Sequence, residues 1–259
     1  MERNKLFLAV CLGLCLVAVG ISFFVKHRLE TFQLSARMTD LKGISLAIRG
    51  CMWESGSEYY PEDIRDKDGQ PLLSWRVAIL PYMERQHLYA KFHLDEPWNS
   101  PHNIELLSEI PPEFRGAQPA ASHATPYQMV VGRDATFKPN TKLTPLTVLA
   151  RSGTEYTFHI VESAELVPWT KPADVAYSRG SPLPKFGFFS PPTFLAIMAS
   201  GSVFEIDPRR DAEQVIRDAI AFEGESRLVV NPRWASFCIF TENPSTGVRM
   251  EMHFKDNWK

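Results

Sequence analysis

The strongest hydrophobic pattern in the chain is a run of 20 residues without a charged side chain, Leu6 to Val25. As an α-helix this run is about 30 Å long, which matches the thickness of the hydrocarbon core of a bilayer. It therefore predicts a signal-anchor helix that spans a membrane. Two alternatives stay open: a signal peptide that is cleaved after Gly20, at a small-x-small site, and a buried core helix.

Apolar residues recur at helical spacing beyond this run: Leu34, Met38, Leu41 and Ile48. A stripe of this period marks one face of a helix, so we expect the same helix to continue into water to about residue 50. The stripe is expected to pack against a folded domain. This pattern divides the chain into an anchor, residues 1–28, and one α+β domain, residues 29–259.

Helices and then strands are predicted along this domain. Pro81 and Pro101 each suit the first position of a helix, because that position needs no backbone N–H. Short apolar or β-branched runs follow, bounded by Gly, Pro or Ser, at 125–132, 144–150, 156–163, 194–199 and 202–206. A further helix after Asp211 and a β-hairpin near 233–255 complete the pattern. We therefore expect a long N-terminal helix packed on an antiparallel sheet.

Composition and charge narrow the partners of this domain. Lys and Arg number 28 against 30 Asp and Glu, so the chain lacks the basic excess that nucleic-acid binding requires. Hydrophobic residues make up 44%, which excludes a disordered chain. We expect a membrane partner through Leu6–Val25, with self-association or envelope proteins as further partners. Cys51 and Cys238 either pair or remain separate thiols.

The orientation of the anchor follows from its flanks. Positive residues stand on both sides of the run, with Arg3 and Lys5 before it and Lys26 and Arg28 after it, so the positive-inside rule is weak here. A short N-terminus ahead of a long domain favours an inside N-terminus. The bulk of the chain is then extracytoplasmic. The alternative localisation is secretion after cleavage of a signal peptide.

Catalytic motifs are absent from the sequence. It has no nucleophile elbow, phosphate-binding loop, H-E-x-x-H, C-x-x-C or dinucleotide-binding glycine motif. We therefore expect a protein that is not an enzyme and that holds no metal or cofactor. The acidic segment Asp66–Gly69 resembles part of a calcium loop but lacks its other ligands, so a tight turn is expected there.

Aromatic and titratable residues suggest one weak candidate site. Asp95, Glu96, Trp98 and His102 lie close together in the sequence. With Trp169, Trp98 and His102 form a candidate ligand-binding set for a carbohydrate, a peptide or another solute. Hydrolysis by Asp95 or Glu96 with His102 is a less favoured use of the same loop. The alternative to both is that the tryptophans pack in the core.

A distinctive set of sequence blocks lies between Asp66 and Asn103: D-x-D-G-x-P-L-L-S-W-R-V, L-P-Y-x-E, L-Y-x-x-F and D-E-P-W-x-S-P-H-N. Through these blocks the chain resembles the large planctomycete family of prepilin-like proteins that carry a domain of unknown function. Later segments are also similar: Thr125–Gly132, Val167–Asp174 and Ser181–Pro184. The resemblance extends over roughly residues 30–225.

This resemblance implies a pilin-like plan, in which a long N-terminal helix lies half in the membrane and packs on an antiparallel sheet. The family has no known biochemical activity, although it has also been labelled solute-binding-like. The prepilin cleavage signature is missing, since Met1–Lys5 leads straight into the apolar run. We therefore expect a divergent, membrane-anchored, extracytoplasmic protein that works through protein contacts. A solute-binding module is the alternative.

Overall fold

A helix of 53 residues, α1 (Glu2–Glu54), begins the structure. It confirms the continuous helix that the hydrophobic spacing predicts. Its C-terminal half buries one face, formed by side chains three or four positions apart: Met38, Leu41, Ile44, Ala47 and Ile48. Residues at this spacing share one side of a helix, so this stripe is the surface by which α1 packs on the rest of the domain.

The computed structural model describes residues 2–54, 59–119, 121–138, 142–145, 148, 157–189, 193–209 and 213–221. Within α1, the side chains of residues 2–12, 16 and 54 are outside the described part. The hairpin predicted near 233–255 and most of the strand predicted over 144–150 also lie outside it.

No helix in the part of the chain searched, the described residues, is both long and apolar enough to cross a membrane. The run Leu6–Val25 lies only partly within residues whose side chains are described.

Short elements follow α1 and cover one side of it. A two-stranded antiparallel ribbon comes first, formed by β1 (Ile64–Arg65) and β2 (Pro71–Leu73). Short helical elements follow: α2 (Trp75–Ala78), a 3₁₀ helix (Leu80–Met83), α3 (Gln86–Tyr89), a second 3₁₀ helix (Asn103–Glu109) and α4 (Pro112–Arg115). This arrangement confirms the helical middle region.

Two local predictions have different outcomes in this region. The tight turn at Asp66–Gly69 is confirmed: Asp66 Oδ1 accepts hydrogen bonds from the amides of Asp68 (2.9 Å) and Gln70 (2.8 Å), and Gly69 has a φ of +80°. The single helix predicted from Pro81 is wrong. It is divided because Glu84 adopts the left-handed conformation, with a φ of 59°, and ends the 3₁₀ helix.

A five-stranded sheet forms the second layer. Its strands are β3 (Ala124–Val131), β4 (Phe158–Pro168), β5 (Val175–Ala176), β6 (Phe194–Met198) and β7 (Val203–Ile206). The strand order is β5-β3-β4-β6-β7. Every pairing is antiparallel except β5 with β3, which is parallel, so the sheet is mixed. The α+β class, with a long helix packed on the sheet, is therefore confirmed.

Both faces of the sheet are covered. Alternate residues of β6 divide between them: Leu195 and Ile197 join the core that contains α1, while Phe194 and Met198 join a second core. The second core is closed by the last described helix, α5 (Glu213–Ile220). Alternation with a period of two is what a strand buried on both faces requires.

Candidate functional site

A fully buried arginine, Arg76, lies beneath the sheet. Its Nε and Nη2 donate to the carbonyl of Tyr127 at 2.9 and 2.7 Å, and its Nη1 donates to Ser74 Oγ at 2.6 Å. Its Nη2 also donates to Asp174 Oδ1 at 3.0 Å. A buried guanidinium needs both a counter-charge and hydrogen-bond acceptors, and this environment supplies a carboxylate and an acceptor for each of its three nitrogens.

Asp174 completes the network from a distant part of the chain. Its Oδ1 also accepts from the Trp75 indole at 3.3 Å and from the amide of Met129 at 2.9 Å. The S-W-R block and the block that ends at Asp174 therefore meet in space. Ser74 also caps α2, since its Oγ accepts from the amide of Arg76 at 3.3 Å. The polar side chains of these blocks form hydrogen bonds with one another, so they hold the two segments of the chain together.

Asp63 lies beside this network and carries a perturbed carboxyl group. Burial raises the pKa of Asp63 to about 6, and repulsion from Asp174 adds to the effect. A hydrogen bond from the Trp75 amide at 2.9 Å and the charges of Arg76 and Arg65 act in the opposite direction. A carboxyl group with such a pKa can exchange a proton near neutral pH.

A small cavity opens above these two carboxyl groups. Its volume is about 70 Å³, and its lining includes Tyr60, Asp63, Arg65, Trp75, Lys138 and Asp174. Pockets for ligands of drug size occupy roughly 300–1,000 Å³. The cavity has room for water or a small polar group, and it is too small for a sugar or a peptide side chain with its backbone. No cluster of three or more metal-ligating side chains is found among the described residues.

The three residues predicted to bind a ligand occupy different environments. Trp169 is fully buried, donates to the carbonyl of Leu107 at 3.1 Å and stacks on Phe114. Trp98 is half-buried, and the ammonium of Lys171 lies 5.6 Å from its ring centre. His102 is exposed. None of the three lines the cavity described above, so their role in binding stays a prediction.

The loop that carries Trp98 and His102 is organised around Asn103. This buried amide donates to the carbonyls of His93, Glu96 and Pro97, and it accepts from the amide of His93 at 3.1 Å. The rings of His93 and His102 stack 3.6 Å apart, within 5° of parallel. Asn103 is therefore the residue that closes the D-E-P-W-x-S-P-H-N loop.

The groups considered for hydrolysis have other partners in this loop. Glu96 contacts His93 Nδ1 at 3.0 Å, and His102 Nε2 contacts the carbonyl of Lys91 at 2.8 Å. Hydrogen bonds from Ser100 and His93 hold the pKa of Glu96 below its usual range. Asp95 is exposed.

A second buried ion pair joins α1 to the sheet. Arg37 Nη1 donates to Glu162 Oε2 at 2.7 Å, and both side chains are almost completely buried. The other oxygen of Glu162 accepts from the amide of Phe189 at 2.8 Å, and the ring of Phe189 lies 4.7 Å from the Arg37 guanidinium. An arginine beside Met38 on the apolar stripe of a helix is a sequence signal that Arg37 is buried, but it does not indicate that Glu162 is its partner.

Residues 38–164 match the family model described as a protein of unknown function (DUF1559). The match covers slightly less than half of the chain and supports the presence of a domain of unknown function. No curated protein and no solved structure is significantly similar to the chain.

The DUF1559 match coincides with a physical boundary in α1. It begins at Met38, next to Arg37, where the helix starts to bury one face. It includes the S-W-R block, the Asn103 loop and β3. The preceding part of α1 exposes large apolar side chains, 49–74% accessible, at Leu14, Val17, Val19, Ile21, Phe23, Phe24 and Val25. The N-terminal half of α1 is therefore a second candidate functional region, besides the cavity next to Asp63.

Proposed function

We propose that the chain is a single-pass membrane protein of pilin-like build, whose extracytoplasmic domain acts through protein contacts and not as an enzyme. The observation that carries the proposal is the apolar surface of α1 between Leu14 and Val25. Burial of one such side chain contributes roughly 1.5–3 kcal/mol. A helix that is apolar on all sides is stable only inside a protein or a membrane.

The charge pattern supports a bilayer as the medium. The uncharged run ends at Val25, and Lys26, Arg28 and Glu30 follow it within one and a half turns. Charged side chains at this boundary suit the headgroup region, whereas the run itself has the length of the hydrocarbon core. The face of α1 that packs on the domain begins only at about residue 37, so a short segment of α1 that starts with these charged residues separates the domain from the bilayer.

Protein contacts are the favoured mode of action for the domain because its distinctive polar residues are engaged internally. Arg76 with Asp174, Arg37 with Glu162 and the Asn103 loop are held by hydrogen bonds within the chain. The cavity beside Asp63 is small. These features favour a structural domain presented at the extracytoplasmic surface of the membrane, with the N-terminus of the chain on the cytoplasmic side.

The anchor is tested by placing a charge within the run. Val17→Arg places a charge near the middle of the proposed span, at a cost of roughly 2.5–3.5 kcal/mol on insertion scales. The variant should become extractable by alkaline carbonate, whereas the wild-type chain should stay in the membrane pellet. Leu29→Arg is the matched control, because Leu29 is 55% exposed but lies beyond the run.

This experiment has a clear contrary result. If the wild-type chain is extracted by carbonate as readily as Val17→Arg, α1 is not an anchor. If Leu29→Arg is extracted to the same extent as Val17→Arg, the effect does not depend on the run, and the assignment of Leu6–Val25 as the span fails.

A further inference from the structure

The water-facing half of α1 carries a second exposed apolar row. Phe32, Leu46 and Trp53 are 72%, 65% and 88% exposed. Together with Thr39 they stand seven residues apart, which places them along one face of the helix. The Thr39 hydroxyl donates to the carbonyl of Ser35 at 3.0 Å, so its polar group is satisfied within the helix. We call Phe32, Thr39, Leu46 and Trp53 the heptad row.

The heptad row faces away from the domain. The opposite face of α1, with Leu41, Ile44 and Ile48, packs on the core. Nothing in the described part of the chain covers the row. Gly43 lies beside it, and apart from the adjoining helix backbone a Cβ placed there would meet no described atom within 4 Å. Large side chains next to bare backbone give the knobs and holes by which helices interlock.

The same register continues towards the membrane. Seven-residue steps back from Phe32 reach Val25 and Ala18. Ser22 and Cys15 stand three residues before these two and lie on the same face of the helix. We call these four residues, together with the heptad row, the seam. All four side chains are exposed. Small residues are enriched where helices approach closely within bilayers. The seam therefore has large side chains in water at Phe32, Leu46 and Trp53, whereas three of its four named residues within the proposed span are small: Cys15, Ala18 and Ser22.

The charges beside the row distinguish between the two orientations of a helix pair. Exposed Arg28, Lys42 and Arg49 follow one edge of the row, whereas Gln33 and Asp40 follow the other. An antiparallel pair of identical helices would set the basic edge against itself. A parallel pair sets the basic edge of one helix beside the neutral and acidic edge of the other.

We propose that the heptad row is the contact surface for a second copy of this chain, with the two α1 helices parallel. The parallel arrangement rests on the proposed function, because anchors in one bilayer orient their chains in the same direction. The row from Phe32 to Trp53 is about 32 Å long at 1.5 Å per residue. The small-residue seam in the span extends it towards the roughly 800 Å² per partner of a standard interface.

Disulfide crosslinking of the full chain in membranes tests this surface. Leu46→Cys is introduced into a chain in which Cys11, Cys15 and Cys51 are replaced by serine and Cys238 is kept. In a parallel pair the two residues at position 46 face each other. Oxidation should therefore give a species of twice the chain mass, absent from the same chain without Leu46→Cys. Trp53→Cys is a second variant with the same expected result.

The matched control is Leu166→Cys, since Leu166 is an exposed leucine of β4, outside α1. It should give about tenfold less dimer than Leu46→Cys. Equal yields from the two variants would overturn the proposal. A monomeric product that has lost both thiols would also overturn it, since it would show that the segment around Cys238 covers the row.

A disruptive variant gives an independent readout. Trp53→Arg, combined with Leu46→Cys, should lower the dimer yield about tenfold without changing the thermal unfolding of the domain, because Trp53 is 88% exposed. An unchanged yield contradicts the proposal. Crosslinking is repeated after solubilisation in detergent, while carbonate extraction is scored separately. Loss of anchoring and loss of pairing are therefore distinguishable.

Discussion

Buried charged residues in this domain pair with partners that are far away in the sequence. Arg76 and Asp174 are 98 residues apart, and Arg37 and Glu162 are 125 residues apart. The attraction within such a pair offsets the desolvation cost of several kcal/mol per buried ion, so the pair adds little net stability. Removal of one partner is strongly destabilising, because the remaining charge is left buried and unpaired.

This asymmetry predicts a large effect of Arg76→Met. The variant leaves Asp174 without its counter-charge, and we expect the free energy of unfolding to fall by about 3–5 kcal/mol. Urea unfolding of the detergent-solubilised chain, followed by tryptophan fluorescence, measures it. Arg85→Met is the matched control. Its partner Glu113 lies 3.4 Å away, and both side chains are partly exposed. Loss of such a pair should lower the free energy of unfolding by about 1 kcal/mol or less. Equal losses in the two variants would contradict the buried network.

The sequence could locate these residues but could not pair them. Arg76 interrupts an apolar run and Arg37 interrupts an apolar stripe, and each is a signal that a charge will be buried. The sequence around each arginine does not indicate which carboxylate pairs with it, because the pairs form only when distant parts of the chain pack together in the folded domain. For the same reason, Trp98, His102 and Trp169 are neighbours of the Asn103 loop or of the core without lining the described cavity.

Packing between elements places two carboxyl groups near each other, Asp40 on α1 and Glu113 on α4. Burial raises the pKa of Asp40 to about 6 from its usual 3.8, and the charge of Glu113 adds to the rise. The folded chain therefore binds this proton more tightly than the unfolded chain. The resulting penalty on stability is absent below about pH 4, grows as the pH rises, and is complete above about pH 6.

Asp40→Asn removes this penalty and should change the pH dependence of stability. Relative to wild type, we expect no gain in the free energy of unfolding at about pH 4 and a gain at about pH 8. Urea unfolding at both pH values measures the difference. The exposed Asp95→Asn variant is the control and should show no such dependence. A gain of the same size at both pH values would show that ionisation of Asp40 is not its cause.

The long elements follow from their own sequence, whereas the short ones depend on their surroundings. The stripe of α1 and the alternation of the main strands are periodic over many residues, so their existence is predictable. The two-residue strand β5 has no such pattern and forms because it pairs with β3. The division of the predicted helix at Glu84 likewise depends on a single left-handed residue in the folded chain.

On the scale of the whole molecule, α1 has three successive segments with different surfaces. The described side chains from Leu14 to Val25 present an apolar surface, the next turns carry the charged residues Lys26, Arg28 and Glu30, and from Arg37 onward one face packs on the domain. The heptad row adds an outward-facing seam to the last part. In the function proposed above, the helix fixes the domain at a membrane and aligns it with a second copy. The central claim is that the N-terminal half of α1 lies in lipid.

Cysteine labelling along α1 tests this claim most directly. Cys15 lies within the run and is exposed in the structure. In a chain with Cys11, Cys51 and Cys238 replaced by serine, a membrane-impermeant maleimide is applied to opened membranes and to protein denatured in detergent. The comparison variant carries Cys15→Ser and His27→Cys, which places the thiol just beyond the run at an exposed position away from the heptad row.

The account predicts that Cys15 is protected in opened membranes, where both surfaces are accessible, and that it reacts only after denaturation in detergent. The thiol at position 27 should react at once under both conditions. If Cys15 in opened membranes reacts as fast as the thiol at position 27, the N-terminal half of α1 is in water, and the proposal of a membrane anchor is wrong.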